Sequence, residues 1–188
     1  MKTESTVRYI TRITFTLLLI SALVAAALAV INQVTLPIIE KSKQEKTQQA
    51  IQIVLPGGYD TEITDFPNPS NMVSKVYKGA NGYAVEVAPS GFDGAITMMV
   101  GVDFEGKVLG ISVISHTETA GLGAVAADKG EKGQSFRNQF IGQSGSVAVS
   151  KDGGSVDAIT GATVTSRAVC SGVNAALECV NALQGGAS

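Results

Sequence analysis

Four hydroxyl side chains and several of the smallest residues crowd into one short string near the end of the chain, Asp157-Ala158-Ile159-Thr160-Gly161-Ala162-Thr163-Val164-Thr165-Ser166. The string joins a strand-like segment to a helical one, so it falls at a helix start. Backbone N–H groups there have no intrahelical acceptor, and the macrodipole adds about half a positive charge. A phosphoryl group is stabilised at such a point. The plainer alternative is that Thr163, Thr165 or Ser166 caps the helix through its hydroxyl. A cap needs one such residue and does not account for the whole string.

A second string, His116-Thr117-Glu118-Thr119-Ala120-Gly121-Leu122-Gly123, offers polar groups beside two glycines that admit close backbone approach. Continued to Ala126 it also reads GxGxxA straight after a strand, as a dinucleotide-binding turn would. That reading is weak, because no clear parallel βαβ unit follows. With one histidine, two cysteines, no CxxC and no HExxH, a zinc site has little to be built from. Redox chemistry would therefore need an organic cofactor, or iron held elsewhere. His116 reads as a structural loop residue rather than an acid or base. Cys170 and Cys179, nine residues apart in one helical segment, point to opposite helix faces and are not expected to pair.

The elements that must position these strings begin with a membrane segment. From Ile13 to Ile31 the chain runs ITFTLLLISALVAAALAVI without a charge. About 19 residues at 1.5 Å each nearly span the ~30 Å hydrocarbon core, so the segment reads as a transmembrane helix. Lys2, Arg8 and Arg12 ahead of it and Ala27-Leu28-Ala29 within it would also suit a cleaved signal peptide, but the run exceeds the roughly 7–15 residues of a signal's apolar region. A buried core helix would show a polar face. Lys41, Lys43 and Lys46 nearly balance the basic residues before the span. Because only a short tail precedes it and long bodies translocate largely regardless of charge, the amino terminus is expected in the cytoplasm and the body outside, periplasmic or extracellular. Ser21, Ala22, Ala25, Ala26, Ala27 and Ala29 permit close packing against neighbouring membrane helices.

Beyond the span, Pro37 suits the first turn of a membrane-proximal helix that Pro56-Gly57-Gly58 would end, and Asp65 to Ser70 is a loop. Met72 to Tyr77 and Gly82 to Val87 read as a hairpin, Ala95 to Val102 and Val108 to Ser115 extend it into an antiparallel meander, and Val156 to Ile159 is one more strand candidate. Phe136 and Phe140, four apart, suit a short helix face. From Thr165 to Leu183, Val169, Val173, Ala176, Leu177, Val180 and Leu183 fall at helical spacing, and Gly185 to Ser188 reads as a frayed end. The fold class is α+β, divided as a tail (1–12), a transmembrane helix (13–31), a membrane-proximal helix (32–58) and one domain (59–188). At 188 residues and a net charge of −2, with the body mildly acidic after the span, the composition argues for one modest domain and against nucleic-acid binding.

Asp157, Thr160, Gly161, Ala162 and Thr163 match every fixed position of the pattern Asp, two free positions, Ser or Thr, Gly, Ala, Thr. On that string the chain resembles the FMN-binding G subunit of the Rnf electron transport complex and, more broadly, the C subunit of the sodium-translocating NADH:quinone reductase. The resemblance implies that Thr163 carries FMN covalently as a phosphoester, installed from FAD by a separate flavin transferase with a divalent metal. Gly161 and Ala162 would leave the backbone open to the transferase and the flavin phosphate, with Val164 and Thr165 in contact beside them. The 118–123 string resembles the family's Glu-Thr-Pro-Gly-Leu-Gly signature. By that likeness Glu118 and Thr119 supply polar contacts, Gly121 and Gly123 admit the flavin, and Leu122 packs on its ring. Ala120 departs from the family's proline, which removes a fixed φ from the loop. Gly91-Phe92-Asp93-Gly94 resembles the family's Gly-aromatic-x-Gly turn, which would place Phe92 on the flavin pocket; a plain core or turn role is the alternative. The chain's length is nearer the Rnf protein than its longer reductase counterpart.

The implied role is an electron relay inside a membrane-bound ferredoxin:NAD oxidoreductase that moves sodium or protons. Its flavin would link an intramembrane iron–sulfur centre with a flavin-bearing integral-membrane subunit. No catalytic acid/base pair and no metal ligand is assigned to this chain. Against this stand a membrane-anchored assembly module with no cofactor, in which TGATVTS is only a helix cap, and a self-contained flavoenzyme acting on a diffusible molecule.

Overall fold

The computed structural model describes residues 3–185; Lys2 and residues 186–188 of the expected frayed end lie outside the described residues, while Gly185 closes the last helix. The chain divides into two compact units, up to Gln44 and from Glu45 onward. Helix α1 runs from Thr3 to Val54 without a break and carries Pro37 inside it. The expected restart of a second helix at Pro37 therefore does not occur. Proline removes one i→i−4 bond at a cost of about 3 kcal/mol, and the backbone ladder that continues on both sides carries the helix past it.

In the first unit the described side chains from Thr6 to Gln44 are exposed all round, and the helix is long and apolar enough to cross a membrane. Its hydroxyls turn back on their own backbone: Thr11 donates to Val7 O at 2.7 Å, Thr16 to Arg12 O at 2.8 Å and Thr35 to Ile31 O at 2.6 Å. Donors satisfied in this way suit a hydrocarbon environment.

In the second unit five strands form an antiparallel meander in chain order: β1 (Thr61–Ile63), β2 (Val73–Gly79), β3 (Gly82–Val87), β4 (Thr97–Asp103) and β5 (Val108–Ser115). The short edge strand β1 was not anticipated. The register aligns Val76, Val85, Val100 and Ile111 in one buried row across β2 to β5. Helix α3 (Thr163–Gly185) lays Val169, Val173, Ala176, Leu177 and Val180 into the core that contains this row. Each such Val or Leu contributes roughly 1.5–3 kcal/mol. Cys170 and Cys179 are both buried and unpaired, because α3 is enclosed on more than its sheet-facing side.

The opposite sheet face carries Tyr77, Ala84 and Met99, covered by Ala50, Ile51, Val54 and Leu55. A Cβ at Gly101 would collide with Val54 O, so the end of α1 lies directly on the sheet there. The turns from Glu45 onward thus belong to the domain, whose expected boundary at residue 59 lies too late. Between sheet and last helix come α2 (Glu131–Asn138) and a 3-10 turn, Ser150–Asp152. Phe136 on α2 and Phe140 just beyond it meet edge to face at 5.4 Å. The expected strand at 156–159 reduces to one parallel bridge between Val149 and Val156. Side chains take its N–H groups: Asp157 N donates to Gln139 Oε1 at 2.7 Å and Ile159 N to Ser166 Oγ at 2.9 Å.

Candidate functional site

Three segments distant in sequence meet at the start of α3: the 91–94 turn between β3 and β4, the loop after β5, and the string leading into the helix. Glu118 ties them together. It is 7 % exposed; its Oε1 accepts the N–H groups of Phe92 at 2.8 Å and Asp93 at 3.2 Å, and its Oε2 accepts the Thr165 hydroxyl at 2.5 Å. Thr117 reinforces the junction by donating to Asp93 O at 2.8 Å. Burial pushes the Glu118 carboxyl up, but the Thr165 hydroxyl, the Asp93 and Phe92 N–H groups and the field of His116 together hold it below its ordinary value. The carboxylate is therefore kept charged inside the fold. Two glycines make room for it: a Cβ on Gly91 would collide with Oε1, and one on Gly123 would collide with Oε2. Glu118 thus spends its oxygens on holding the loops together, where the sequence suggested contacts to a cofactor.

The helix start is fixed by a second clasp. Ser166 Oγ accepts Ile159 N and donates to Ala162 O at 3.0 Å, while Ala162 N donates to Ile159 O at 2.9 Å. Gly161 adopts φ +78° in this turn, and a Cβ there would also press within 3.0 Å of Leu122 Cδ2. Ala162, the residue before the helix, has no side-chain oxygen to cap it. Thr165 and Ser166 have committed their hydroxyls elsewhere, and Thr163 is the first helical residue. The simple-cap alternative for these hydroxyls therefore fails. Half-buried Thr163 makes no side-chain hydrogen bond among the described residues.

Thr163 lines a cavity of about 380 Å³ together with Phe92, Glu118, Thr119, Leu122, Gly123, Gly161, Ala162, Val164, Thr165 and Lys151. Most residues singled out from sequence converge here. Phe92, 73 % exposed, with the exposed Leu122 and Val164, gives the cavity an apolar rim. Gly121, Asp157 and Thr160 instead line a neighbouring cavity of about 750 Å³ shared with α2. Asp157 is held there by its backbone, its carbonyl accepting Gln139 Nε2 at 3.3 Å, and its carboxylate makes no contact with the Thr163 cavity. Lys151 and Gln139 were not anticipated, and Ser166, read as a possible helix cap, instead clasps Ile159 N and Ala162 O. The one available signal was Lys151-Asp152 just ahead of a glycine pair. Gly123–Ala127 forms a 3-10 turn and all strand pairings in the sheet are antiparallel, so the dinucleotide-turn alternative is overturned. His116 is half-buried on its loop, with an enclosed Nδ1 that lacks a partner among the described residues.

A cavity floored by an uncapped helix start and a free threonine, beside an antiparallel meander, defines a cofactor-binding domain, and residues 91–178 match the FMN-binding domain family. That span contains every cavity-lining residue named above. The chain is 33 % identical over 191 residues to the G subunit of the ion-translocating oxidoreductase complex of Methanosarcina acetivorans, covering 94 % of this chain and 97 % of that protein. It is 33 % identical over 186 residues to the G subunit of the Na(+)-translocating ferredoxin:NAD(+) oxidoreductase complex of Acetobacterium woodii, covering 86 % and 87 %. With the corresponding G subunit of Photorhabdus laumondii it shares 36 % over 179 residues, 84 % of each. The chain belongs to the G-subunit family of ion-translocating oxidoreductase complexes of the Rnf type.

Proposed function

We propose that this chain is an electron-relay subunit of an Rnf-type ferredoxin:NAD oxidoreductase complex, coupled to sodium or proton movement, and that it carries FMN as a phosphoester on Thr163. The observation that carries the reading is the single uncommitted hydroxyl among Thr163, Thr165 and Ser166, placed at an uncapped helix start on the wall of a cavity with an apolar rim. The residues fit the group. About 380 Å³ falls within the usual range for small-molecule sites, and the rim residues Phe92, Leu122 and Val164 suit the face of a planar ring. The unpaired N–H groups of the first helical turn suit the phosphate.

Bound FMN supplies one- and two-electron chemistry, while the protein supplies position and electrostatics. Thr163 gives up its hydroxyl proton and takes the flavin phosphoryl group of FAD on its oxygen, the pyrophosphate bond breaking and AMP leaving, under a flavin transferase. A covalent tether keeps the local concentration high whatever the non-covalent affinity, so an open cavity suffices. An open rim in turn suits protein-bound electron partners, here an intramembrane iron–sulfur centre and a flavin-bearing integral-membrane subunit. The amino terminus lies in the cytoplasm and the domain on the periplasmic or extracellular side, with the apolar part of α1 crossing the membrane.

Expression with and without the flavin transferase, followed by intact mass and in-gel fluorescence of denatured protein, tests the attachment. Thr163→Ala should abolish the label and leave the chain folded, whereas Thr165→Ala should retain some label. An unmodified Thr163 peptide from protein matured with the transferase would refute the proposal.

A further inference from the structure

Two titratable side chains, Glu118 and Lys151, line the Thr163 cavity among the described residues. The first has both oxygens engaged by Phe92, Asp93 and Thr165. A phosphoester joining Thr163 to FMN would add a second negative charge to the same wall. Two anions sharing a partly desolvated site repel each other unless a cation lies between or beside them.

Lys151 is the cation in position to do this. Its neighbour Asp152 is gripped by Arg167 of α3, with Nε to Oδ2 and Nη2 to Oδ1 both at 2.7 Å. That fork fastens the 3-10 turn to the helix that begins at Thr163 and leaves Lys151 without a carboxylate partner among the described residues. The turn is fixed from behind as well. Ser150 N donates to Val156 O at 2.8 Å, and Gly154 lies so close to Ala148 that a Cβ would collide with its carbonyl oxygen. A lysine is a compact, mobile point charge, a type well suited to a phosphate.

We propose that Lys151 is the counter-charge of the phosphoryl group borne at Thr163, an inference that rests on the attachment proposed above. The test is a thermodynamic cycle on the full chain in detergent, made with and without the flavin transferase. Lys151→Gln should lower the Tm of the flavin-loaded form by roughly 2–5 °C more than that of the unloaded form, and Lys151→Glu should widen the gap. Lys151→Arg should restore it. The ³¹P resonance of the loaded chain should shift in Lys151→Gln and stay near its wild-type position in Lys151→Arg. Equal Tm losses in loaded and unloaded protein, or no loss, with an unmoved ³¹P resonance, overturn the inference. Wild-type protein without flavin on Thr163 overturns the attachment itself and this inference with it; loaded protein indifferent to Lys151 overturns the inference alone.

Discussion

Replacing Glu118 by alanine strands three donors at once: the Phe92 and Asp93 N–H groups and the Thr165 hydroxyl. Each unsatisfied buried donor costs about 1–3 kcal/mol, and no longer burying a carboxylate recovers part of that, so the net loss is about 3–5 kcal/mol. At about 2–4 °C per kcal/mol for a chain of this size, Tm should fall by roughly 10 °C. Glu118→Gln keeps the shape and can still accept both N–H groups, losing mainly charge assistance, for a cost of about 1 kcal/mol. The two variants also differ in their pH dependence. Because the folded Glu118 carboxyl lies below its ordinary value of 4.5, the unfolded chain takes up that proton first as pH falls. The stability it contributes is fully present above the unfolded pKa and is lost as pH falls through the folded one. The gap between wild type and Glu118→Gln should therefore be present at neutral pH, begin to close as pH falls past the ordinary value of 4.5, and vanish once pH passes the lower folded one. Thermal unfolding of the full chain by circular dichroism across acidic buffers measures both effects. A gap unchanged between neutral and strongly acidic pH, or a Glu118→Ala variant melting within about 2 °C of wild type, would refute the clamp.

Ser166→Ala should destabilise by about 1–2 kcal/mol by orphaning Ile159 N–H, and should reduce flavin loading at a threonine it never touches, as read by denaturant unfolding and in-gel fluorescence. Gly123→Ala drives a methyl into both Glu118 and Thr165 and should cost about 1–3 kcal/mol with a matching loss of label. Cys170 and Cys179, whose thiols burial pushes up to about 11, should resist alkylation in the folded chain and react once it is denatured; mass spectrometry after iodoacetamide decides this.

Much of the site was legible because its parts are local strings. The Thr160 to Thr165 run and the Glu118 to Gly123 run each announce small residues and hydroxyls within a few positions, and the fold brings most of both onto one wall. The meander was legible from its runs of β-branched residues and from the short connections between β2 and β3 and between β4 and β5. Lys151 was not, because nothing in its neighbourhood shows that Arg167 will seize Asp152 and leave the lysine on the wall that holds Thr163. The 156–159 segment misled by its β-branched residues, since the partners that outcompete a strand, Gln139 and Ser166, come from different helical elements. Glu118 was found, but its part in holding the loops together was not: sequence shows a carboxylate in a loop and cannot show three donors already converging on it.

The last turns of α1 set a rule for anyone wishing to work with the water-exposed portion alone. A fragment trimmed to begin at Tyr59, where the first strand is about to start, would discard Ala50, Ile51, Val54 and Leu55 and leave Tyr77, Ala84 and Met99 bare to solvent. Such a fragment is expected to clump, and its insolubility would be easily misread as a demand for lipid. A cut placed ahead of Glu45 keeps the lid on that side of the sheet.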